Sequence, residues 1–309
     1  MGGVTLNSST PYLANGADAA DADAPDSGGY VYFDAAAHTL FLNNASITGA
    51  ATGTNNYGIY AEGDLNIVLA GSNTLSAGDA TTGFTGSRGD SKGIYVRNGG
   101  SLNINGNGSL AITSKKDSSS YGIYAADMDL NIGEGAVLRC DAEYADVSAP
   151  GAVYYSCGIY TGTGACSISG GAQVIAAGGE INTENSIVRV SSIGISAKTI
   201  DVNNSEVRAT GKTRALSVSP NVTNGTVTAA EDEAGNNVVP YAAQNISAYL
   251  YILITPGSPS QAQWGIAGAD GSAPSAWSQG DFSQAVRSIS RTARFCTHSG
   301  RRRISSART

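Results

Sequence analysis

A tripeptide, Gly-Ile-Tyr, returns along this chain and constrains its fold more than any other feature. It begins at Gly58, Gly93, Gly122 and Gly158, and a related Gly-Ile-Ser begins at Gly194. The intervals are 35, 29, 36 and 36 residues. A period in this range indicates a stacked architecture, in which each repeat buries its apolar face against its neighbours.

The interior of each repeat predicts strands. Runs 64–67 (Asp-Leu-Asn-Ile), 101–104 (Ser-Leu-Asn-Ile) and 129–132 (Asp-Leu-Asn-Ile) alternate apolar and polar residues, and a third short apolar run follows each. Alternation with period two is typical of β-strands. Leu75 lies 17 residues after Gly58, and Leu110 lies 17 residues after Gly93, so a single return loop accounts for the variable period.

This pattern predicts an all-β chain folded as a right-handed parallel β-helix, a solenoid of about seven three-strand coils. We expect the first coil in 30–48. The later coils are expected near 57–77, 93–113, 121–140, 157–176, 193–209 and 214–229.

Four segments are expected along the chain. Residues 1–27 form an irregular lead-in or cap, and 28–255 form the β-helix, with strand residues 238–255 covering its open end. Residues 256–286 form a linker and the start of a truncated further module. The basic tail 287–309 is expected to be disordered, as at a frame-shifted end.

Charge is unevenly distributed. The whole chain has a formal charge of −7, but the seven arginines and absent acids of 282–309 leave 1–281 with 11 basic and 25 acidic side chains, a net charge of −14. Such a body repels nucleic acid. No apolar stretch is long enough for a membrane-spanning helix.

The four cysteines are too few for a disulfide scaffold. Buried small side chains in the stacked rows are the favoured interpretation. A Cys140–Cys157 disulfide at the base of loop 141–156 is the alternative.

Two outward rows of side chains are candidate ligand contacts. If the repeated isoleucines face inward, the following tyrosines, Tyr60, Tyr95, Tyr124 and Tyr160, face outward one coil apart. Aromatic faces pack against sugar rings and phenol groups hydrogen-bond. Asn66, Asn103 and Asn131 form a second row of amides. The alternative is that both rows are ladders that only stabilise the solenoid.

Carboxylates are expected at one corner of the coils. Glu62, Asp64, Asp127 and Asp129 could supply the oxygen ligands of Ca²⁺, or they could be a solvated corner. Residues 88–90 spell Arg-Gly-Asp, an adhesion tripeptide that this composition also produces by chance.

Catalysis has little support in the sequence. His38 and His298 are the two histidines, and His38 lies in a turn without a nucleophile motif. A lyase would need calcium carboxylates beside a basic residue, and none of the basic residues recurs at a repeated position.

The segment 58–67 (Gly-Ile-Tyr-Ala-Glu-Gly-Asp-Leu-Asn-Ile), with Gly-Ser-Asn-Thr-Leu at 71–75 and 32–47 before it, resembles the repeat of bacterial secreted carbohydrate-binding β-helix proteins. The likeness covers about 28–230. It implies a fold similar to that of pectate lyases, binding of plant or acidic polysaccharide, and calcium within the fold.

These observations favour a non-catalytic, extracellular polysaccharide-binding module of a larger surface or secreted protein, monomeric in itself. Its targeting sequence is expected to precede Met1. A structural stalk or adhesin that displays other modules, and a polysaccharide lyase, are the alternatives.

Overall fold

The computed structural model describes residues 5–14, 19–20, 28–52, 55–78, 89–115, 119–143, 153–179, 189–257, 263–266, 278–279, 295–297 and 303–304. The chain divides into two compact units, Met1–Pro256 and Gly257–Thr309. The division falls beside the predicted linker at 256.

The first unit is built of short strands and a 3₁₀ helix, Ala243–Ala248. Its strands are β1 Tyr12–Ala14, β2 Ala19–Ala20, β3 Tyr30–Asp34, β4 Thr39–Asn43, β5 Ser46–Thr48, β6 Ala50–Thr52, β7 Asn55–Glu62, β8 Leu65–Ala70, β9 Ser72–Ala77, β10 Ser91–Arg97, β11 Ser101–Asn105, β12 Ser109–Ser114, β13 Ser120–Tyr124, β14 Asp129–Ile132, β15 Val137–Ala142, β16 Val153–Tyr160, β17 Ala165–Ile168, β18 Gln173–Gly178, β19 Arg189–Ser196, β20 Thr199–Asn203, β21 Glu206–Thr210, β22 Arg214–Leu216, β23 Asn221–Thr223, β24 Gly225–Ala230, β25 Val238–Pro240 and β26 Tyr251–Pro256.

These strands form three long sheets in which corresponding strands of successive repeats are neighbours. Sheet I, which carries the Gly-Ile-Tyr strands, has the order β22-β19-β16-β13-β10-β7-β6. Sheet II has the order β2-β1-β3-β4-β8-β11-β14-β17-β20-β23. Sheet III has the order β25-β24-β26-β21-β18-β15-β12-β9-β5. From β7 to β21 every pairing within a sheet is parallel and joins consecutive repeats, which confirms an all-β chain of stacked parallel strands.

Rows of apolar side chains from the three sheets form one core. Ile59, Ile94, Ile123, Ile159 and Ile195 pair in register along sheet I, and each is at most 3% exposed. Sheet II contributes a row from Ile67 to Val202, and sheet III a row from Leu75 to Ala209. Because each row is shared between neighbouring repeats, burial of these side chains stabilises the stack rather than a single repeat.

The amino-terminal end departs from the predicted first coil. Strand β3 does not stack in the parallel array but pairs antiparallel with β4, and β1 pairs antiparallel with β3. The reason is the tight turn after β3, in which Asp34 Oδ1 accepts the backbone N–H groups of Ala36 and Ala37 and His38 adopts a positive φ of 48°. A turn this short can join only antiparallel strands. The lead-in is therefore partly regular, since β1 and β2 extend sheet II.

The carboxy-terminal end also departs from the predicted last coil, 214–229. Strand β24 does not stack on β21, because β26 lies between them and pairs antiparallel with both. The predicted covering segment thus enters sheet III instead of only shielding its end. Beside it, the backbone N–H of Ala215 donates to the Tyr249 carbonyl at 2.7 Å, and Tyr249 is buried.

The cysteines of the first unit confirm the packing interpretation and contradict the disulfide. Cys140, Cys157 and Cys166 are free and fully buried. Cys140 belongs to the core row of sheet III, whereas Cys157 lies in a separate cluster on sheet I with Tyr121 and Ile193. The two thiols occupy different packed environments, and burial raises the pKa of Cys157 to about 12.

The second unit is described only through short strands. These are β27 Gln263–Ile266, β28 Ser278–Gln279, β29 Phe295–Thr297 and β30 Arg303–Ile304, in an antiparallel sheet of order β28-β27-β29-β30. The predicted disorder of the tail concerns residues that for the most part lie outside the described part of the chain.

Candidate functional site: a tyrosine face on sheet I

The predicted tyrosine row exists and lies opposite the core. Tyr60, Tyr95, Tyr124 and Tyr160 pair in register along β7, β10, β13 and β16. Their ring centroids are 5.4, 5.4 and 5.0 Å apart in succession. Tyr60 is exposed and Tyr95, Tyr124 and Tyr160 are half-buried, whereas the isoleucines beside them are buried, which confirms the predicted alternation at these positions.

The rings do not form a flat platform. Tyr60 and Tyr95 are tilted by 58° and Tyr95 and Tyr124 by 76°, while Tyr124 and Tyr160 are stacked at 18°. Tyr60 is the most exposed of the four, at 39%. Edge-to-face contacts between the rings stabilise the row itself, so the accessible part of the tyrosine face lies at the Tyr60 end.

A second row on the same face was not predicted. It is formed by the residue before each repeated glycine, and it runs Tyr57, Lys92, Tyr121, Cys157, Ile193. Strict alternation with the buried isoleucines would have placed this row inside. The signal available in the sequence was the large side chain that precedes most of the repeated glycines.

The glycine of each repeat explains the second row. A Cβ built on Gly93 would lie 2.2 Å from Cγ2 of Ile112, and one built on Gly58 would lie 2.4 Å from Cδ2 of Leu75. The glycine therefore faces the core, as does the isoleucine that follows it. Two successive inward positions break the alternation, so the residues on both sides, such as Lys92 and Tyr95, lie on the outer face.

Lys92 is enclosed by this double row. Its Nζ lies 4.9 Å from the ring centroid of Tyr95 and 4.7 Å from that of Tyr124, with Tyr57 and Tyr121 at 5.7 and 5.8 Å. The ammonium group also pairs with Asp90 Oδ2 at 2.9 Å, and the lysine side chain is only 7% exposed. An ammonium group within about 6 Å of aromatic faces is attracted by their quadrupoles, so Lys92 holds these rings in place.

Asp90 is the last residue of the predicted adhesion tripeptide. Its backbone N–H donates to Asn55 Oδ1 at 2.8 Å, and its carboxylate is bound to Lys92. Arg88 lies outside the described residues, so the use of the tripeptide stays a prediction.

The middle of the face is an apolar cluster around buried phenols. Tyr121, Cys157 and Ile193 are buried there, with Tyr124, Tyr155 and Tyr160 packed against them. Burial, followed by the nearby Tyr160, raises the pKa of Tyr124 to about 12. Burial likewise raises the pKa of Tyr121 and of Tyr160. These hydroxyls therefore stay protonated at mildly alkaline pH as well as at neutral pH.

An ion pair borders the exposed end of the row. Glu62 Oε1 accepts from Arg97 Nε at 3.0 Å and Nη2 at 2.5 Å, and also from the Tyr60 hydroxyl. The Arg97 guanidinium carbon lies 5.5 Å from the Tyr60 ring centroid. The bonds from Tyr60 and then Arg97 lower the pKa of Glu62, and the bond to Glu62 raises that of Arg97. The three side chains thus form one pre-arranged group.

A cleft with a volume of about 1020 Å³ opens beside this group. Tyr57, Tyr60, Tyr95 and the pairs Lys92–Asp90 and Arg97–Glu62 line it, together with apolar residues of the amino-terminal end such as Leu6 and Phe33. The cleft combines aromatic rings with two pairs of opposite charges, so it offers both ring faces and hydrogen-bonding groups to a ligand.

The amide row is present but bonded to itself. Asn103 Nδ2 donates to Asn66 Oδ1 at 2.8 Å, and Asn131 Nδ2 donates to Asn103 Oδ1 at 2.8 Å. Asn66 Nδ2 in turn reaches the Ala37 carbonyl at 3.4 Å. These residues lie on sheet II, whereas the tyrosines lie on sheet I, so the two predicted rows do not form one surface.

The four predicted calcium ligands are not brought together. Asp129 pairs with Ser101, and Asp64 directly precedes Leu65, which pairs with Leu102, so β11 lies between the two aspartates and separates them by two strand spacings, or about 9.6 Å. Asp64 Oδ1 accepts from the backbone N–H groups of Ser101 and Gly100, and these bonds lower its pKa. Asp127 accepts from the Thr163 hydroxyl at 2.6 Å, and Glu62 binds Arg97. Within the described residues no group of three or more His, Cys, Asp or Glu side chains is placed to hold a metal ion.

Comparison with known proteins finds no similar protein. Neither the protein-family models, nor the curated proteins, nor the solved structures contain a match to this chain. In the part of the chain that the structure describes, no helix has the length and apolar character to cross a membrane.

Proposed function

We propose that this protein is a non-catalytic, extracellular carbohydrate-binding module, and that the glycan binds in the cleft at the Tyr60 end of the tyrosine face. The observation that carries the proposal is the cleft in which Tyr57, Tyr60 and Tyr95 stand beside the Arg97–Glu62 pair. Aromatic rings pack on the apolar faces of sugars, and the paired charged groups hydrogen-bond sugar hydroxyls. The resemblance of the repeat to secreted β-helix proteins supports the same class.

The proposal includes the finer fold, a right-handed parallel β-helix of about seven coils. The parallel registers of the three sheets support it. Within it, we assign the Asn66, Asn103 and Asn131 row to internal support, because its amides already bond one another. An experimental structure with a left-handed or open winding of the three sheets would contradict this part.

The test is retention on insoluble cellulose and pectin. Tyr60→Ala and Tyr95→Ala are each expected to reduce retention by about tenfold, because stacking of a ligand ring on one aromatic side chain is worth on the order of 1–2 kcal/mol. Tyr251→Ala is the matched control, because this half-buried tyrosine stacks on Arg208 in sheet III, away from the cleft. Equal retention of all variants would remove the proposed site.

A second candidate, a structural stalk or adhesin, is favoured by a different observation. The amide ladder, the tyrosine contacts and the Lys92 cage satisfy much of the surface chemistry internally. If the protein is a stalk or adhesin, the same variants would lose stability, and their retention would equal that of the unaltered protein.

A further inference from the structure

The charged groups of the cleft are matched in pairs. Among the described residues that line it, the cations are Lys92 and Arg97 and the anions are Asp90 and Glu62. Lys92 Nζ lies 2.9 Å from Asp90, and Arg97 Nη2 lies 2.5 Å from Glu62. This part of the cleft therefore carries no net charge.

An anionic sugar would find an unfavourable site here. A uronate carboxylate could bond the N–H groups of Arg97 that Glu62 leaves free, but Glu62 already neutralises the guanidinium and its own charge would repel the uronate. Lys92 is almost fully enclosed by tyrosine rings and is unavailable. The net charge of −14 over residues 1–281 adds a repulsion that acts before contact.

A sugar hydroxyl suits the same groups. It donates one hydrogen bond and accepts others, so it can bond a guanidinium N–H and a carboxylate oxygen of one pair at once. A guanidinium has five N–H donors, and Arg97 bonds Glu62 through only two of its nitrogens. Tyr60 and Tyr95 supply ring faces beside this pair.

We infer that the ligand of this cleft is an uncharged polysaccharide and not a polyuronate, an inference that rests on the proposed function. It departs from the expectation of an acidic polysaccharide that the resemblance implied.

The experiment measures affinity for soluble hydroxyethyl cellulose, xyloglucan and galactomannan, and for polygalacturonate, at NaCl from about 20 to about 500 mM, a range that shortens the Debye length from roughly 20 to 4 Å. The dissociation constant for a bound neutral polymer should change less than about twofold with salt. Polygalacturonate should bind at least about tenfold more weakly at low salt.

Glu62→Gln tests the pairing directly. It should strengthen polygalacturonate binding by about tenfold at low salt, because Arg97 then lacks its carboxylate partner. Glu206→Gln, which makes the same charge change at an exposed position of sheet III, should change it less than about twofold.

Tight polygalacturonate binding by the unaltered protein that salt weakens and Tyr60→Ala abolishes would overturn this inference alone. The inference also fails if Glu62→Gln and Glu206→Gln behave alike. Binding of no polymer in the panel would overturn it together with the proposed function.

Discussion

At the scale of single residues, the repeated glycine does more than permit a turn. Gly58, Gly93 and Gly122 each stand where a side chain would enter the core. Their lack of a Cβ lets two successive residues face inward, and this reverses the alternation that follows. One absent methyl group per repeat therefore places Tyr57, Lys92 and their counterparts on the outer face.

Gly122→Ala should destabilise the protein. The added Cβ would lie 2.5 Å from the Gly158 carbonyl oxygen and 2.8 Å from Cβ of Cys140, and overpacking of this kind costs about 1–3 kcal/mol. Urea unfolding followed by circular dichroism measures the effect. Gly100→Ala is the control, because its nearest neighbour would be Asp64 Oδ1 at 3.4 Å, and a similar shift in both variants would contradict the argument.

At the scale of elements, polar side chains of the same type that stack in register hydrogen-bond one another. The amides of β8, β11 and β14 bind one another in a ladder. Where two of the return loops begin, Asn56 Oδ1 accepts the backbone N–H of Gly78 and Ser156 Oγ accepts that of Gly179, each at 2.7 Å. The amide ladder joins neighbouring repeats, whereas the bonds of Asn56 and Ser156 join the first strand of a repeat to the end of its third strand.

Asn103→Ala should destabilise the stacked strands without reducing polysaccharide retention. It removes the hydrogen bonds to Asn66 and from Asn131 and a longer one to Ser101. The first two are worth about 0.5–1.5 kcal/mol each, so the free energy of unfolding should fall by at least about 1–3 kcal/mol. Asn221→Ala, which loses one exposed bond to Asp201, should cost less. Loss of polysaccharide retention by folded Asn103→Ala would show that the amide row contacts the ligand.

At the scale of the whole first unit, antiparallel pairing ends sheets I and II at the amino-terminal side and sheet III at the carboxy-terminal side. Strand β3 pairs antiparallel with β4 at the amino-terminal end of sheet II, and β26 pairs antiparallel with β21 at the carboxy-terminal end of the stack in sheet III. An open parallel edge would offer unpaired backbone groups to other chains. Between these ends the interior is continuous and holds the buried thiols of Cys140 and Cys166, while the thiol of Cys157 is buried in the cluster on the outer face of sheet I.

These three thiols should be unreactive until the protein unfolds. In a Cys296→Ser background, Ellman's reagent is expected to detect no rapidly reacting thiol in the native protein and three after unfolding without reductant. Raising the pH to about 9 should not speed the native reaction, because burial raises the pKa of Cys157 and of Cys166 to about 12 and keeps the reactive thiolate scarce. Detection of a single thiol after unfolding would contradict this prediction and indicate a Cys140–Cys157 disulfide.

The repeat alone determined the number of strands per repeat, their parallel stacking and the alignment of Tyr60, Tyr95, Tyr124 and Tyr160. It could do so because equal spacing within each repeat forces equivalent residues into register. Only the tertiary structure decided that Lys92 lies among the tyrosines, that Cys157 lies apart from Cys140, and that β26 enters sheet III. Those outcomes depend on the direction of a backbone bend at glycine and on pairing between distant segments, and neither follows from the alternation of apolar and polar residues.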